Sequence, residues 1–138
     1  MKVIIDINII IDILERREPF FINSYRVIQL GLEGIIETII STGNITTVYY
    51  IIRKSLHDAV KARENIFLLG NIVRICNSTP EDITQALILF IPDFEDAVIA
   101  AIAKREKADY IITRNTDDFA NSPVPAVNPE QFLEVLKR

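Results

Sequence analysis

Two hydrophobic patterns alternate along the chain. Four short β-branched runs predict buried strands at residues 3–5, 36–41, 72–76 and 110–113, and 126–127 adds a short edge strand. Between them, apolar residues recur three and four positions apart, which predicts helices. Strands alternating with helices predict a three-layer α/β/α fold, with right-handed crossovers around a mainly parallel sheet of four to five strands.

Polar residues, glycine and proline mark the helix boundaries. The predicted helices cover approximately residues 9–14, 20–33, 46–56, 58–69, 81–89, 94–107 and 129–138. Asn8 is expected to cap the first helix, Asn44 or Thr46 the third, while Gly31 and Gly34 end the second.

Length and composition predict one domain spanning residues 1–138. With 49% hydrophobic and 25% charged residues, the chain has enough apolar material for a core. A single cysteine rules out an intrachain disulfide or a zinc framework. No apolar stretch is long enough for a signal sequence or a membrane span, so we expect a cytoplasmic protein with no membrane partner.

The formal net charge of −4 argues against a broad basic surface for long nucleic acids. Local contacts with RNA remain compatible with this balance. Part of the negative charge can belong to a functional carboxylate cluster that a bound cation would offset.

Polar residues follow two of the predicted strands directly. Asp6 comes after the first strand, and Asn115, Asp117 and Asp118 come shortly after the fourth. In open parallel sheets, ligands bind beyond the carboxyl ends of the strands, so these side chains are expected to share one crevice.

A helix start supplies further carboxylates. Asp93 and Asp96 are three residues apart and therefore project from one face, whereas Glu95 is expected to point elsewhere. Desolvated carboxylates in one cluster repel each other by roughly several kcal/mol, and a hard divalent cation is the usual remedy. The alternative interpretation is that Asp93 only caps the helix and that the acids after the fourth strand are ordinary loop residues.

The order of these motifs resembles the PIN-domain family. The motifs are Asp6-Ile-Asn8 after the first strand, residues 93–103 (DFEDAVIAAIA) on a helix, and residues 112–119 (ITRNTDDF) after a strand. The resemblance spans nearly the whole chain. It implies a PIN-like, metal-dependent nuclease fold, commonly a VapC-type toxin ribonuclease that an antitoxin protein neutralises.

The resemblance also implies roles for individual residues. Asp6, Asp96 and Asp118 match the family's catalytic, metal-binding acids, and Asn8 and Thr113 match supporting polar positions. Two residues depart from the pattern, because Thr47 and Asn115 stand where many relatives carry an acid. We assign both residues as supporting positions. Asp93 and Asp117 are candidate substitutes for the lost ligands.

The implied reaction is hydrolysis of RNA phosphodiester bonds by metal-activated water, with Mg²⁺ or Mn²⁺ as cofactor. Arg114, which adjoins Asn115, is the candidate contact to RNA phosphates. The resemblance further implies an antitoxin partner and a homodimer, for which the aliphatic residues between Phe20 and Ile52 are candidates.

Three alternatives remain open. The neutral residues Thr47 and Asn115 favour a degenerate PIN domain that binds RNA or a protein partner without cleavage. A receiver-like phosphoacceptor domain is disfavoured because the third strand ends in Cys76-Asn-Ser rather than aspartate. A phosphatase with Asp6 as nucleophile generally needs a larger chain.

Overall fold

The computed structural model describes residues 1–138 and contains one five-stranded parallel sheet. The strands are β1 (Lys2–Ile5), β2 (Glu37–Ser41), β3 (Arg74–Cys76), β4 (Tyr110–Ile112) and β5 (Ala126–Val127). Their order across the sheet is β3-β2-β1-β4-β5, and every neighbouring pair is parallel. The predicted parallel sheet is confirmed, including its short edge strand.

Seven α-helices connect or follow the strands. They are α1 (Ile7–Leu14), α2 (Phe21–Leu32), α3 (Thr42–Leu56), α4 (Ala59–Ile72), α5 (Pro80–Ile88), α6 (Phe94–Arg105) and α7 (Pro129–Leu136). The segment after β4, predicted as loop, contains a short 3-10 helix at Thr116–Phe119. None of the helices is both long and apolar enough to cross a membrane.

Side chains that alternate along each strand build a separate core on each face of the sheet. Val3 and Ile5 pack with residues of α1, α2, α3, α4 and α7, whereas Ile4 packs with residues of α5 and α6. Ile111 and Ile112 divide between the same two cores. Helices therefore cover both faces of the sheet, which confirms the three-layer prediction.

Two predicted helix boundaries differ from the structure. Ser41 caps α3, because its side chain accepts a hydrogen bond from the Asn44 N–H at 3.2 Å, so the helix begins before the predicted caps. Gly31 lies inside α2, where a Cβ atom would come within 2.8 Å of Thr38 Oγ1. Gly34 alone provides the positive φ, +72°, that follows the helix end.

The register of the sheet brings the ends of β1 and β4 together. Ile5 pairs with Ile112, and the Asp6 N–H donates to the Ile112 carbonyl oxygen at 3.0 Å. The next residues along both strands, Asp6 and Thr113, therefore lie side by side at the carboxyl edge of the sheet.

Candidate functional site

Asp6 occupies the junction between β1 and α1 and is 6% exposed. One carboxylate oxygen accepts from the Ile7 N–H at 2.7 Å, and the other accepts from the Thr113 hydroxyl at 2.7 Å. Burial raises the pKa of Asp6, these two hydrogen bonds oppose the rise, and the charges of Asp93 and Asp118 add to it. Asp6, rather than the predicted Asn8, is the cap of α1.

The polar residues predicted to support Asp6 form a network around it. The Asn8 amide lies 3.3 Å from the Asp6 carboxylate and 3.4 Å from the Thr113 hydroxyl oxygen. The Asn115 N–H donates to that hydroxyl oxygen at 3.1 Å. The network fixes the orientation of Asp6, while the Asn115 side chain itself stays exposed.

The start of α6 carries the second group of acids. Asp93 is the N-cap and accepts from the Asp96 N–H at 3.0 Å. The prediction that Asp93 caps the helix is therefore confirmed. The charge of Asp93 nevertheless raises the pKa of both Asp6 and Asp96. Capping and membership of the cluster are therefore compatible.

Asp96 interacts electrostatically with all the other acids of the cluster. Burial, followed by the charges of Asp6, Asp93, Asp118 and Glu95, raises its pKa from 3.8 to about 7. Such a rise requires several carboxylates around one incompletely solvated position. Two of these neighbours, Asp6 and Asp93, belong to motifs that are far apart in the sequence.

The two acids of the 3-10 helix after β4 differ in their electrostatic effect on Asp6 and Asp96. The charge of Asp118 raises the pKa of both Asp6 and Asp96. Asp117 is exposed, and its charge is not among those that act on Asp6 or Asp96. The structure thus brings Asp118 to the cluster and does not bring Asp117 there.

Glu95 is a member of the cluster that the sequence analysis placed elsewhere. Burial raises the pKa of Glu95, the charges of Asp93 and Asp6 add to the rise, and the nearby Thr47 hydroxyl opposes it. Thr47 lies on α3 and also donates toward the Gly43 carbonyl oxygen, 3.3 Å away. The charges of Asp93 and Asp6 both act on Glu95, a coupling that the three-residue spacing of Asp93 and Asp96 did not predict.

The donor set consists of carboxylates and neutral oxygens, which is the chemistry that Mg²⁺ and Mn²⁺ prefer. No three acidic, histidine or cysteine side chains already converge on one point in the structure. Asp93 is exposed at a helix cap, where the Asp96 N–H binds it, and Asp118 is exposed on the 3-10 helix. The residues therefore fit a divalent ion, provided that their side chains rearrange around it.

Arg114 makes a contact that the sequence did not reveal. Its guanidinium donates to both carboxylate oxygens of Asp12, at 2.6 and 3.2 Å, and lies 4.2 Å from the centroid of the Phe20 ring. Asp12 is fully buried in α1. This ion pair holds Arg114 in place beside the cluster, and its contact with RNA stays a prediction.

Comparison with known proteins gives four similarities that cover most of the chain. A sequence model of the PIN domain matches residues 2–117. Ribonuclease VapC1 of Aquifex aeolicus (strain VF5) is 29% identical, over 96% of this chain and 94% of the relative.

Among solved structures, a chain of a toxin–antitoxin complex from Klebsiella pneumoniae is 25% identical, with a TM-score of 0.68 over 92% of this chain and 97% of the other. A chain of VapBC2 from Rickettsia felis, solved bound to a DNA fragment from its promoter, is 18% identical, with a TM-score of 0.73 over 93% and 98% of the two chains. The latter similarity shows the fold alone.

Proposed function

The chain belongs to the PIN-domain family, and from that premise we propose that it is a divalent-metal-dependent endoribonuclease of the toxin type, acting on RNA in the cytoplasm. The observation that carries the proposal is the buried Asp6 at the carboxyl edge of the sheet, held by Thr113 and coupled by charge to Asp93, Asp96 and Asp118. The ribonuclease relative, which aligns over 96% of the chain, supports the same activity.

Three acids form the catalytic, metal-binding site in this proposal. Asp6 is oriented by the hydroxyl of Thr113 and the amide of Asn8, so it provides a fixed ligand. Asp96 and Asp118 provide the other two catalytic positions. A bound Mg²⁺ or Mn²⁺ would polarise the phosphodiester and lower the pKa of a water molecule. No side-chain nucleophile is required.

We assign Glu95 as the carboxylate that makes up for the neutral residue at position 47. Burial and the charges of Asp93 and Asp6 raise the pKa of Glu95, and the nearby Thr47 hydroxyl opposes the rise, which supports this assignment. Glu95 would thereby restore one of the two negative charges that Thr47 and Asn115 remove. Asp117, by contrast, is the weakest of the proposed ligands because it is not coupled to Asp6 or Asp96.

An antitoxin protein and a second copy of the chain are the proposed protein partners. The Klebsiella pneumoniae structure at 25% identity is a toxin–antitoxin complex, which supports the first. Exposed apolar side chains support further contacts, among them Ile22, Tyr25, Leu32, Ile35 and Tyr50 in the segment predicted for dimer formation.

RNA cleavage tests the activity directly. Purified protein would be incubated with end-labelled single-stranded RNA in Mg²⁺, in Mn²⁺ or in chelator, alongside Asp6→Asn and the matched control Asp109→Asn. Asp109 is an exposed aspartate at the opposite, amino-terminal end of β4. We expect metal-dependent cutting by the wild type and the control, and a loss of about 100-fold or more in Asp6→Asn, since even outer-shell changes cost 10- to 100-fold.

The products identify the nucleophile. Attack by water leaves no 2′,3′-cyclic phosphate, and a single 2′-deoxy substitution at the cleaved position is then tolerated. The degenerate binding module, favoured by the neutral Thr47 and Asn115, predicts RNA binding without cutting in any metal. That result from folded protein would replace the nuclease proposal.

A further inference from the structure

A cavity of about 350 Å³ is lined in part by Arg114, the residue that follows Thr113. Its lining includes Phe20, Asn23, Ser24, Arg114, Asn128 and Glu130. Its volume is at the lower end of the range of small-molecule pockets, roughly 300 to 1,000 Å³. The proposed hydrolysis does not use this cavity.

The cavity and the cluster share the carboxyl edge of the sheet. Arg114 follows Thr113 at the end of β4, and Asn128 follows the end of the adjacent strand β5. The Arg114 N–H lies 3.4 Å from the Asn8 side-chain oxygen, and the Asn8 amide lies 3.3 Å from Asp6. Arg114 and Asn8 thus link the lining of the cavity to Asp6.

The charges around the cavity disfavour a phosphate. Arg114 is the only cation in the lining, and it is paired through two hydrogen bonds with the buried Asp12. Glu130 adds an uncompensated negative charge. Because the one cation is already neutralised, the cavity suits an uncharged group.

The remaining lining suits a planar group with hydrogen-bonding edges. The Arg114 guanidinium lies over one face of the Phe20 ring, 4.2 Å from its centroid, and the ring is 40% exposed, so a base would stack on its other face. The Asn23 amide supplies a donor and an acceptor, and Asn128, whose side-chain oxygen accepts from the Gln131 N–H, supplies the donors of its amide group. Ser24 is completely buried, and its hydroxyl has no hydrogen-bond partner in the protein.

The geometry points to a nucleobase-binding subsite, in which a base of single-stranded RNA stacks against Phe20 beside the cleaved bond. Single-stranded RNA is generally recognised in this way, by stacking on aromatic or guanidinium planes and by hydrogen bonds to base edges. The inference rests on the proposed nuclease function for its substrate, but base binding itself needs neither metal nor cleavage.

Tryptophan fluorescence gives a direct test because the chain has no tryptophan. Phe20→Trp keeps an aromatic plane at the cavity and reports on it alone. The variant would be titrated in chelator with AMP, CMP, GMP and UMP, and separately with ribose 5-phosphate, which carries the phosphate without a base. Phe67→Trp, on the 72% exposed Phe67 of α4, is the matched control for non-specific quenching.

We expect saturable quenching of Phe20→Trp by at least one nucleotide, no response to ribose 5-phosphate, and no saturable response of Phe67→Trp. Phe20→Leu should raise the KM for RNA cleavage by about 5- to 150-fold, the equivalent of one lost aromatic stack. An equal response to ribose 5-phosphate would identify an anion site and overturn the inference. Absence of saturable quenching would overturn it as well.

Wild-type RNA cleavage measured alongside separates the two claims. Cleavage without nucleotide-dependent quenching removes the subsite and leaves the nuclease proposal in place. Quenching without cleavage in any metal keeps the base subsite and removes the nuclease proposal.

Discussion

Replacing Asp96 by asparagine should stabilise the metal-free protein. Burial and four neighbouring carboxylates raise the pKa of Asp96 from 3.8 to about 7, so its ionised form is disfavoured in the folded state. That rise corresponds to about 4 kcal/mol as an upper limit. Asp96 is only half-buried, and solvent screening reduces the gain expected at about pH 8 to roughly 1–3 kcal/mol.

The same rise fixes the direction of the pH dependence. Between about pH 4 and pH 7, the folded state holds a proton on Asp96 that the unfolded state has released. The free energy of unfolding of the metal-free wild type should therefore fall as pH rises through this window and level off above it. Asp96→Asn lacks this contribution, so its stability should fall less over the same range.

Urea unfolding followed by circular dichroism, in chelator at several pH values, measures both effects. Asp109→Asn, outside the cluster, controls for the loss of one negative charge. The asparagine also forgoes a favourable helix-dipole interaction worth about 0.3–1 kcal/mol, so the measured gain will be smaller than the electrostatic relief. If Asp96→Asn is less stable than the wild type at about pH 8, the reasoning from carboxylate repulsion is wrong.

Three other changes test separate parts of the structure. Glu95→Gln should weaken Mn²⁺ binding by about 10-fold in calorimetry, and an unchanged affinity would exclude Glu95 from the site. Asp12→Ala leaves Arg114 without its buried partner and should cost about 3–5 kcal/mol in urea unfolding, whereas a cost below about 1 kcal/mol would contradict the assigned ion pair. Gly31→Ala places a Cβ atom 2.8 Å from Thr38 Oγ1 and should lower stability by about 1–3 kcal/mol in thermal denaturation; an unchanged Tm would refute the close approach.

The sheet could be predicted from sequence because its strands are buried on both faces. The runs around Ile4 and Ile111 are continuously apolar, and both residues are completely buried in the structure. The start of α3 was harder to predict. Asn44 and Thr46 are reasonable caps, but Ser41 takes this role because β2 leads into the helix without a turn.

The site was predictable where one residue follows one strand. Asp6 lies directly after β1, and the parallel register alone brings it to Thr113. Contacts between separate helices were not predictable in this way. The coupling of Glu95 to Asp6 and the ion pair of Arg114 depend on tertiary packing, which hydrophobic periodicity does not specify.

Binding of Mn²⁺ to the metal-free protein tests the central claim, that the coupled carboxylates form a divalent-cation site. A titration followed by calorimetry and electron paramagnetic resonance would compare the wild type with Asp96→Asn and with the control Asp109→Asn. We predict saturable binding by the wild type and the control, and its loss in Asp96→Asn. Folded wild-type protein that binds no Mn²⁺, or an Asp96→Asn variant that binds it as tightly, would contradict the assignment.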